Sequence, residues 1–380
     1  MMTKVEINLE RLHYLLALYR MSVEDLLSLL NVGKKKIEKD MLLANEVELS
    51  LLKRIDGIFK KGFNFYTDFS PLPQAAESSV FFRKREFGVT LNLESKRVVD
   101  RFETLKTRLD TYSKLANTRF DSHAPTYTLA DDPKHVAEII SKLFHPGKVK
   151  DSRQFLKDFI NKCANQNIYV FEFIETWNKK ERANIDGLFL HPNMIVLKRQ
   201  KSYKREIFTL AHELGHCILG KEEIEPLDVL ELPVDRQGDD IERWCNDFAF
   251  YFIMNDEASM FHEINAVNSS NDYYHDLIVN LSTQTHLSRL AIYTRLYLDK
   301  KISYSNYVTI KNELVYQYEI RKAREKENDI NKSKKGTPKP ILSNLYVETL
   351  QYAFFKGVIS ESTFCQNLSI KSSKIQNYLW

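Results

Sequence analysis

Residues Phe208–Leu219 read FTLAHELGHCIL and contain the pattern H-E-x-x-H at His212, Glu213 and His216. On a helix, side chains four residues apart leave from the same face. Two imidazoles so placed can hold one Zn²⁺, with the intervening glutamate beside the ion's water as its base. Leu210, Ala211, Leu214, Ile218 and Leu219 are apolar, which buries the helix. In a buried helix without a metal, two imidazoles and a carboxylate would be desolvated with nothing in return. The stretch therefore predicts a metal site with one Zn²⁺ per chain, His212 and His216 as ligands, and Glu213 as the catalytic residue.

A catalytic zinc takes three protein ligands and keeps one position open, so the third is expected beyond Gly220. Residues 222–240 are crowded with carboxylates, and charge alone does not choose among them. Helical context does. Ile241–Met254, IERWCNDFAFYFIM, is an apolar helical stretch with Glu242 near its start and Asn246 four residues on. Glu242 is the expected third ligand, on a helix antiparallel to the first. Its plainer reading is an acidic residue favoured by the helix dipole. Asn246 is placed to hydrogen-bond a ligand or brace the helix. Cys245 is not excluded by spacing, whereas Cys217 follows His216 and faces elsewhere; both read best as apolar packing residues. For the oxyanion, His191, His286 and several tyrosines stay open.

The period changes just before this helix. Asn167–Phe173 (NIYVFEF), Leu188–Leu190 and Met194–Leu197 are rich in β-branched and aromatic residues and read as strands, with His191, Pro192 and Asn193 connecting the last two. Such a sheet often offers an edge to which an extended peptide adds by backbone pairing. The expected fold class is α+β: mostly helical, with a small mixed or antiparallel sheet packed on the H-E-x-x-H helix and helical N- and C-terminal domains.

The chain has 380 residues and a net charge of +4, which permits nucleic-acid contact without arguing for it. Four cysteines with no paired spacing point to a reducing cytoplasm rather than a disulfide framework. No window reaches membrane-spanning length without charges, so no membrane role is expected.

In chain order, residues 1–70 read as a helical domain. Ser22 is placed as an N-cap with Asp25 three residues on. The run SVEDLLSLLNVGKKKIEKDMLL has helix-turn-helix spacing, turning at Asn31–Gly33. Lys34, Lys35, Lys36 and Lys39 would open the second helix, where DNA phosphates or a protein partner are met. A further helix is expected over Glu46–Lys61. Residues 71–150 read as a helical connection, with helices at Ser95–Leu115 and Lys134–Phe144, and Ser152–Ala164 follows. The remaining division is 151–260 for the metal-bearing core, 261–320 for a helical appendage, 321–340 for a charged linker or loop and 341–380 for a C-terminal helical region. Within that last region, Ile359–Leu379 is a candidate helical sensor or homodimer contact.

Residues 165–256 resemble the ImmA/IrrE family of metallopeptidases, a gluzincin-like group. The family carries a strand region, a helix like FTLAHELGHCIL, then a helix of the type E-x-x-A-N-x-F-A-x-x-L-L-M-P. Glu242, Asn246, Phe248, Ala249 and Met254 match that pattern; Cys245 and Asn255 depart from it, at packing and helix-end positions. The resemblance implies the ligand set His212, His216 and Glu242, with Glu213 catalytic. The first 60 residues resemble, in degraded form, the helix-turn-helix domain often fused to this family, and Phe81, Phe82 and Arg83 resemble an inter-module segment. Relatives cleave a helix-turn-helix repressor in mobile elements or stress responses, which implies a zinc endopeptidase with a regulatory protein as substrate. The other reading is a DNA-binding transcriptional regulator, or a toxin–antitoxin component, whose peptidase-like core is structural.

Overall fold

A computed structural model describes residues 3–32, 36–72, 91–118, 120–175, 181–222, 224–226, 240–329 and 339–379. The chain divides into two compact units, Met1–Leu105 with Glu181–Asn184, and Lys106–Lys180 with Ile185–Trp380.

The first unit holds β1 (Lys4–Glu6), α1 (Leu9–Leu18), α2 (Val23–Leu30), α3 (Lys39–Leu42), β2 (Glu46–Glu48), α4 (Leu49–Phe59), α5 (Phe63–Thr67) and the start of α6 (Leu93–Leu115). Ser22 and Asp25 form a reciprocal capping box: the Ser22 hydroxyl accepts from the Asp25 amide, and the Asp25 carboxylate accepts from the Ser22 amide. Tyr19 packs edge-on against Phe59 at 5.1 Å and donates to Asp100 at 3.0 Å, while Lys61 pairs with the same carboxylate at 2.6 Å.

The expected second helix of a helix-turn-helix is reduced here to the single turn α3. Residues 33–35 lie outside the described residues, and residues 36–38 are not helical. The Asn31 side chain accepts from the Ile37 amide at 2.7 Å and donates to the Ile37 carbonyl at 3.0 Å. That clamp takes up backbone groups that a helix starting at Lys34 would use. The helix expected from Glu46 begins instead at Leu49, because Glu46–Glu48 pairs antiparallel with Lys4–Glu6. Phe81, Phe82 and Arg83 lie outside the described residues.

The second unit contains α7 (Pro133–Phe144), α8 (Ser152–Asn165), β3 (Tyr169–Phe173), β4 (Ile185–Leu190), β5 (Met194–Lys198), α9 (Tyr203–Leu219), β6 (Ile224–Pro226) and α10 (Asp240–Met254). Beyond these come α11 (Ala258–His262), α12 (His275–Thr285), α13 (Arg289–Leu298), α14 (Tyr304–Asp329), α15 (Asn344–Phe355) and α16 (Glu361–Leu368). The four strands are ordered β3-β5-β4-β6. β3 runs parallel to β5, and β4 runs antiparallel to both β5 and β6. Every residue of β4 and β5 is buried, so these strands are covered on both faces and are mostly apolar rather than alternating, Asp186 and Lys198 being the charged exceptions. Side chains of α7, α8, α9, α10, α12 and α13 share one hydrophobic core with the sheet. The fold is mostly helical α+β, with a small mixed sheet against the H-E-x-x-H helix and helical regions at both ends.

One element departs from expectation in this unit. Helix α14 carries on through residues 321–329, which the high charge marks as linker. Arg, Lys, Ala and Glu dominate that run and are strong helix formers, so charge density there is compatible with a helix. Residues 330–338 lie outside the described residues.

A buried ionic cluster ties the start of α9 to the sheet and to the C-terminal region. Arg199 bonds Glu172 of β3 at 2.8 Å and Glu206 of α9 at 3.2 Å, and both carboxylates are fully buried. The Ile341 amide donates to Glu172, and the Gln200 amide to Glu206 at 3.0 Å. Tyr169 and Thr349 add a bond of 2.8 Å between β3 and α15. One guanidinium lies between two carboxylates, so burial, and then Glu172, push the Glu206 carboxyl up to about 9. A folded-state value above the unfolded one means the folded protein binds more protons across that window. The contribution of Glu206 to stability is therefore full below the ordinary carboxylate range and is lost as pH rises towards about 9. Urea midpoints at pH 6 and pH 9 should differ less in Glu206→Gln than in the parent protein; an unchanged difference would contradict this assignment.

Candidate metal centre

Helix α9 is buried along its whole second half. His212 and Glu213 are fully buried, and His216 is 1% exposed. An all-round buried helix is a core element, so its polar side chains must be met by partners from neighbouring elements. Those partners come from α10, which crosses α9 at Gly215. A Cβ built on Gly215 would lie 3.1 Å from the Cys245 Sγ and 3.3 Å from its Cα. This close approach brings Glu242 and Asn246 of α10 over the histidines.

The Glu242 Oε2 lies 3.2 Å from the His212 Nε2, and its Oε1 lies 3.2 Å from the His216 Nε2. The two Nε2 atoms are 3.0 Å apart. The Asn246 Oδ1 is 3.1 Å from the His212 Nδ1. With the amide oxygen so oriented, Nδ1 carries a proton and donates to Asn246. Burial pushes the Glu242 carboxyl up, but the two histidines, through charge and hydrogen bonds, outweigh it and hold the group well below the usual carboxylate range.

This donor set fits a zinc ion. Ligands at about 2.0–2.2 Å from one Zn²⁺ lie within roughly 4.4 Å of one another, and the three spacings here, 3.0, 3.2 and 3.2 Å, fall inside that limit. Two imidazoles and a carboxylate leave room for a fourth position. Glu242 is only partly buried. Among the described residues, no other group of three His, Cys, Asp or Glu side chains converges in this way. Cys245 lies against Gly215, in the helix–helix contact, and Cys217 lies in the hydrophobic core.

The remaining sequence candidates do not gather at this cluster. The His286 Nδ1 is 2.9 Å from the Ser152 hydroxyl and its Nε2 is 2.6 Å from the Val149 carbonyl. Both ring nitrogens are committed to holding α8 and the loop before it. His191 is exposed on the turn between β4 and β5, where its amide donates to Glu222. Lys36 and Lys39 are exposed in the first unit, and Lys39 pairs with Glu24 at 3.1 Å; Lys34 and Lys35 lie outside the described residues. Two surface cavities, of about 410 and 580 Å³, include none of the cluster residues in their walls.

Two features of the centre went unread in the sequence. Gly187 of β4 lies directly against Glu213: a Cβ there would be 2.6 Å from the Glu213 Oε1 and 2.6 Å from the Thr209 Cγ2. A lone glycine within a strand pattern is the available signal for such an approach. Next to it, Asp186 accepts from Arg205 at 2.8 Å and from Gln200 at 2.6 Å, tying β4 to the first turn of α9.

The fold and the donor set define a metallopeptidase of the H-E-x-x-H class. Residues 143–297 match the family described as Peptidase_M78, the IrrE N-terminal-like domain. The chain thus carries an IrrE/ImmA-like peptidase domain with the His212, His216 and Glu242 triad of gluzincin metallopeptidases, and its activity class is zinc metallo-endopeptidase. No curated protein matches the chain.

The helix crossing is open to test. Gly215→Val must push the backbone of Cys245 away, because the atom it meets at 3.3 Å is main chain. We expect a stability loss of ~1–3 kcal/mol from overpacking and a lower zinc content after dialysis against a weak chelator, since Glu242 moves with α10. Parental metal retention in this variant would show that the crossing does not set the ligand spacing.

Proposed function

We propose that this protein is a zinc-dependent endopeptidase that cleaves a regulatory protein, with a helix-turn-helix transcriptional repressor of a mobile element or stress response as the substrate. The observation that carries the reading is the convergence of His212, His216 and Glu242 with Glu213 buried on the same helix. His212, His216 and Glu242 would hold one Zn²⁺, and Asn246 orients His212 through its Nδ1. When bound, the ion supplies a Lewis acid that polarises a peptide carbonyl and makes water acidic near neutral pH. Glu213 takes the proton from the attacking water and delivers it to the nitrogen of the leaving amine. Burial of its carboxylate keeps that transfer out of bulk solvent.

A repressor substrate is supported by the resemblance of residues 165–256 to peptidases that cut such proteins, and by the separate helical unit in front of the peptidase domain. In this reading Lys36 and Lys39 are the described residues through which that unit would touch DNA or a partner. Cytoplasmic action is supported by four buried cysteines with no disulfide. No described helix is long and apolar enough to cross a membrane.

Co-expression with a helix-turn-helix repressor that is its substrate should give a specific cut. Glu213→Gln should lower the rate by about 10²–10⁴-fold while leaving zinc at about one per chain. His212→Ala should lose the metal. Undiminished cleavage by Glu213→Gln removes Glu213 as the base, and zinc-free protein purified without chelators removes the metal assignment.

A further inference from the structure

We propose that Gly187 is a positioning residue for the reaction: the missing side chain at this point of β4 is the space in which the Glu213 carboxylate is held. The proposal rests on the reading of Glu213 as the base.

Thr209 and Glu213 are four residues apart on α9 and present one face to β4. A Cβ at Gly187 would meet the Glu213 Oε1 and the Thr209 Cγ2 at 2.6 Å each, and the Glu213 Cγ at 3.1 Å. The two 2.6 Å spacings are not tolerated by a real methyl group, and the 3.1 Å one is tight, so something must move. The strand is poorly placed to do so. Gly187 is paired on one side with Leu197 of β5 and on the other with Glu225 of β6. Asp186, the neighbouring residue, is tied to Arg205 of α9. The helix is held on its other flank by the Gly215–Cys245 contact. The adjustment therefore falls on side chains. Thr209 is β-branched and stiff about χ1. Glu213 is unbranched, and its carboxylate lies at the far end of three rotatable bonds. It is the group that yields.

A displaced base is costly even when the fold survives, because a misplacement of about 1 Å reduces a rate by roughly 10²-fold. A purely structural glycine would behave differently: its replacement would loosen the strand and helix together, and relieving the methyl–methyl contact with Thr209 would repair it. The two atoms met by the added methyl belong to different side chains, so the roles can be separated by substitution.

The test uses the zinc-loaded full chain and a mixture of internally quenched peptides. Gly187→Ala should retain about one zinc per chain and the parental KM, and lose about 10²-fold in kcat. Adding Thr209→Ser, which removes the methyl and keeps the hydroxyl, should restore little. Glu213→Asp, which retracts the carboxylate by one methylene, should cost less on top of Gly187→Ala than alone; that non-additivity is the signature of direct contact. A readout without turnover comes from protein labelled with ¹³C at the glutamate carboxyls. The resonance that Glu213→Gln deletes should be shifted in Gly187→Ala. Parental kcat in Gly187→Ala, full restoration by Thr209→Ser, or an unshifted Glu213 resonance overturns the proposal. If Glu213→Gln itself cleaves at the parental rate, the base assignment fails, and the resonance still reports whether Gly187 holds the carboxylate.

Discussion

Everything at this centre depends on the cost of burying charge. Helix α9 places two imidazoles and a glutamate in the interior of the second unit, where each would be strongly penalised alone. The structure answers with a carboxylate from α10, an amide oxygen on His212, and a donor set whose spacings suit a single divalent ion. A buried ion pair is weak evidence for stability, since a well-packed apolar substitute often does as well. Three converging donors in the core are better explained by what they hold than by what they add to folding.

Two glycines set the distances around that cluster. Gly215 lets α10 approach α9 closely enough for Glu242 to reach both histidines, and Gly187 lets β4 approach the same helix on the Thr209–Glu213 face. The helix is thus held between a second helix and a strand, each admitted by the absence of a side chain. Its N-terminal turn is fixed separately, by Arg199 with Glu172 and Glu206 and by Arg205 with Asp186. These charges lie at the end of the helix away from the metal cluster and outside it. They orient α9 without competing for the ion.

The first unit shows how local chemistry overrides a pattern. Its Ser22–Asp25 capping box forms as the residues suggest, because both partners lie within one turn. Among the described residues the helix expected after Asn31 is cut to Lys39–Leu42, because the Asn31 side chain takes both backbone groups of Ile37. The periodicity of apolar residues is the same in either case, and only the side-chain competition decides between them. The charged run at residues 321–329 makes the converse point. High charge there reads as a linker, yet its residues are good helix formers and simply extend α14.

The sequence alone determined the features that rest on short spacing. The i, i+4 histidines, the glutamate between them, the apolar helix carrying Glu242 and Asn246, and the three core strands are all legible because helical and strand periods are local. Tertiary structure alone decided how closely those elements meet. That Glu242 spans both imidazoles follows from a helix crossing at Gly215, and that Gly187 touches Glu213 follows from a strand packed across a helix. The Glu172–Arg199–Glu206 cluster joins residues 27 and 7 positions apart with the Ile341 amide. A sequence records which side chains are present; the separation between backbones, and hence which missing Cβ matters, exists only once the chain has packed.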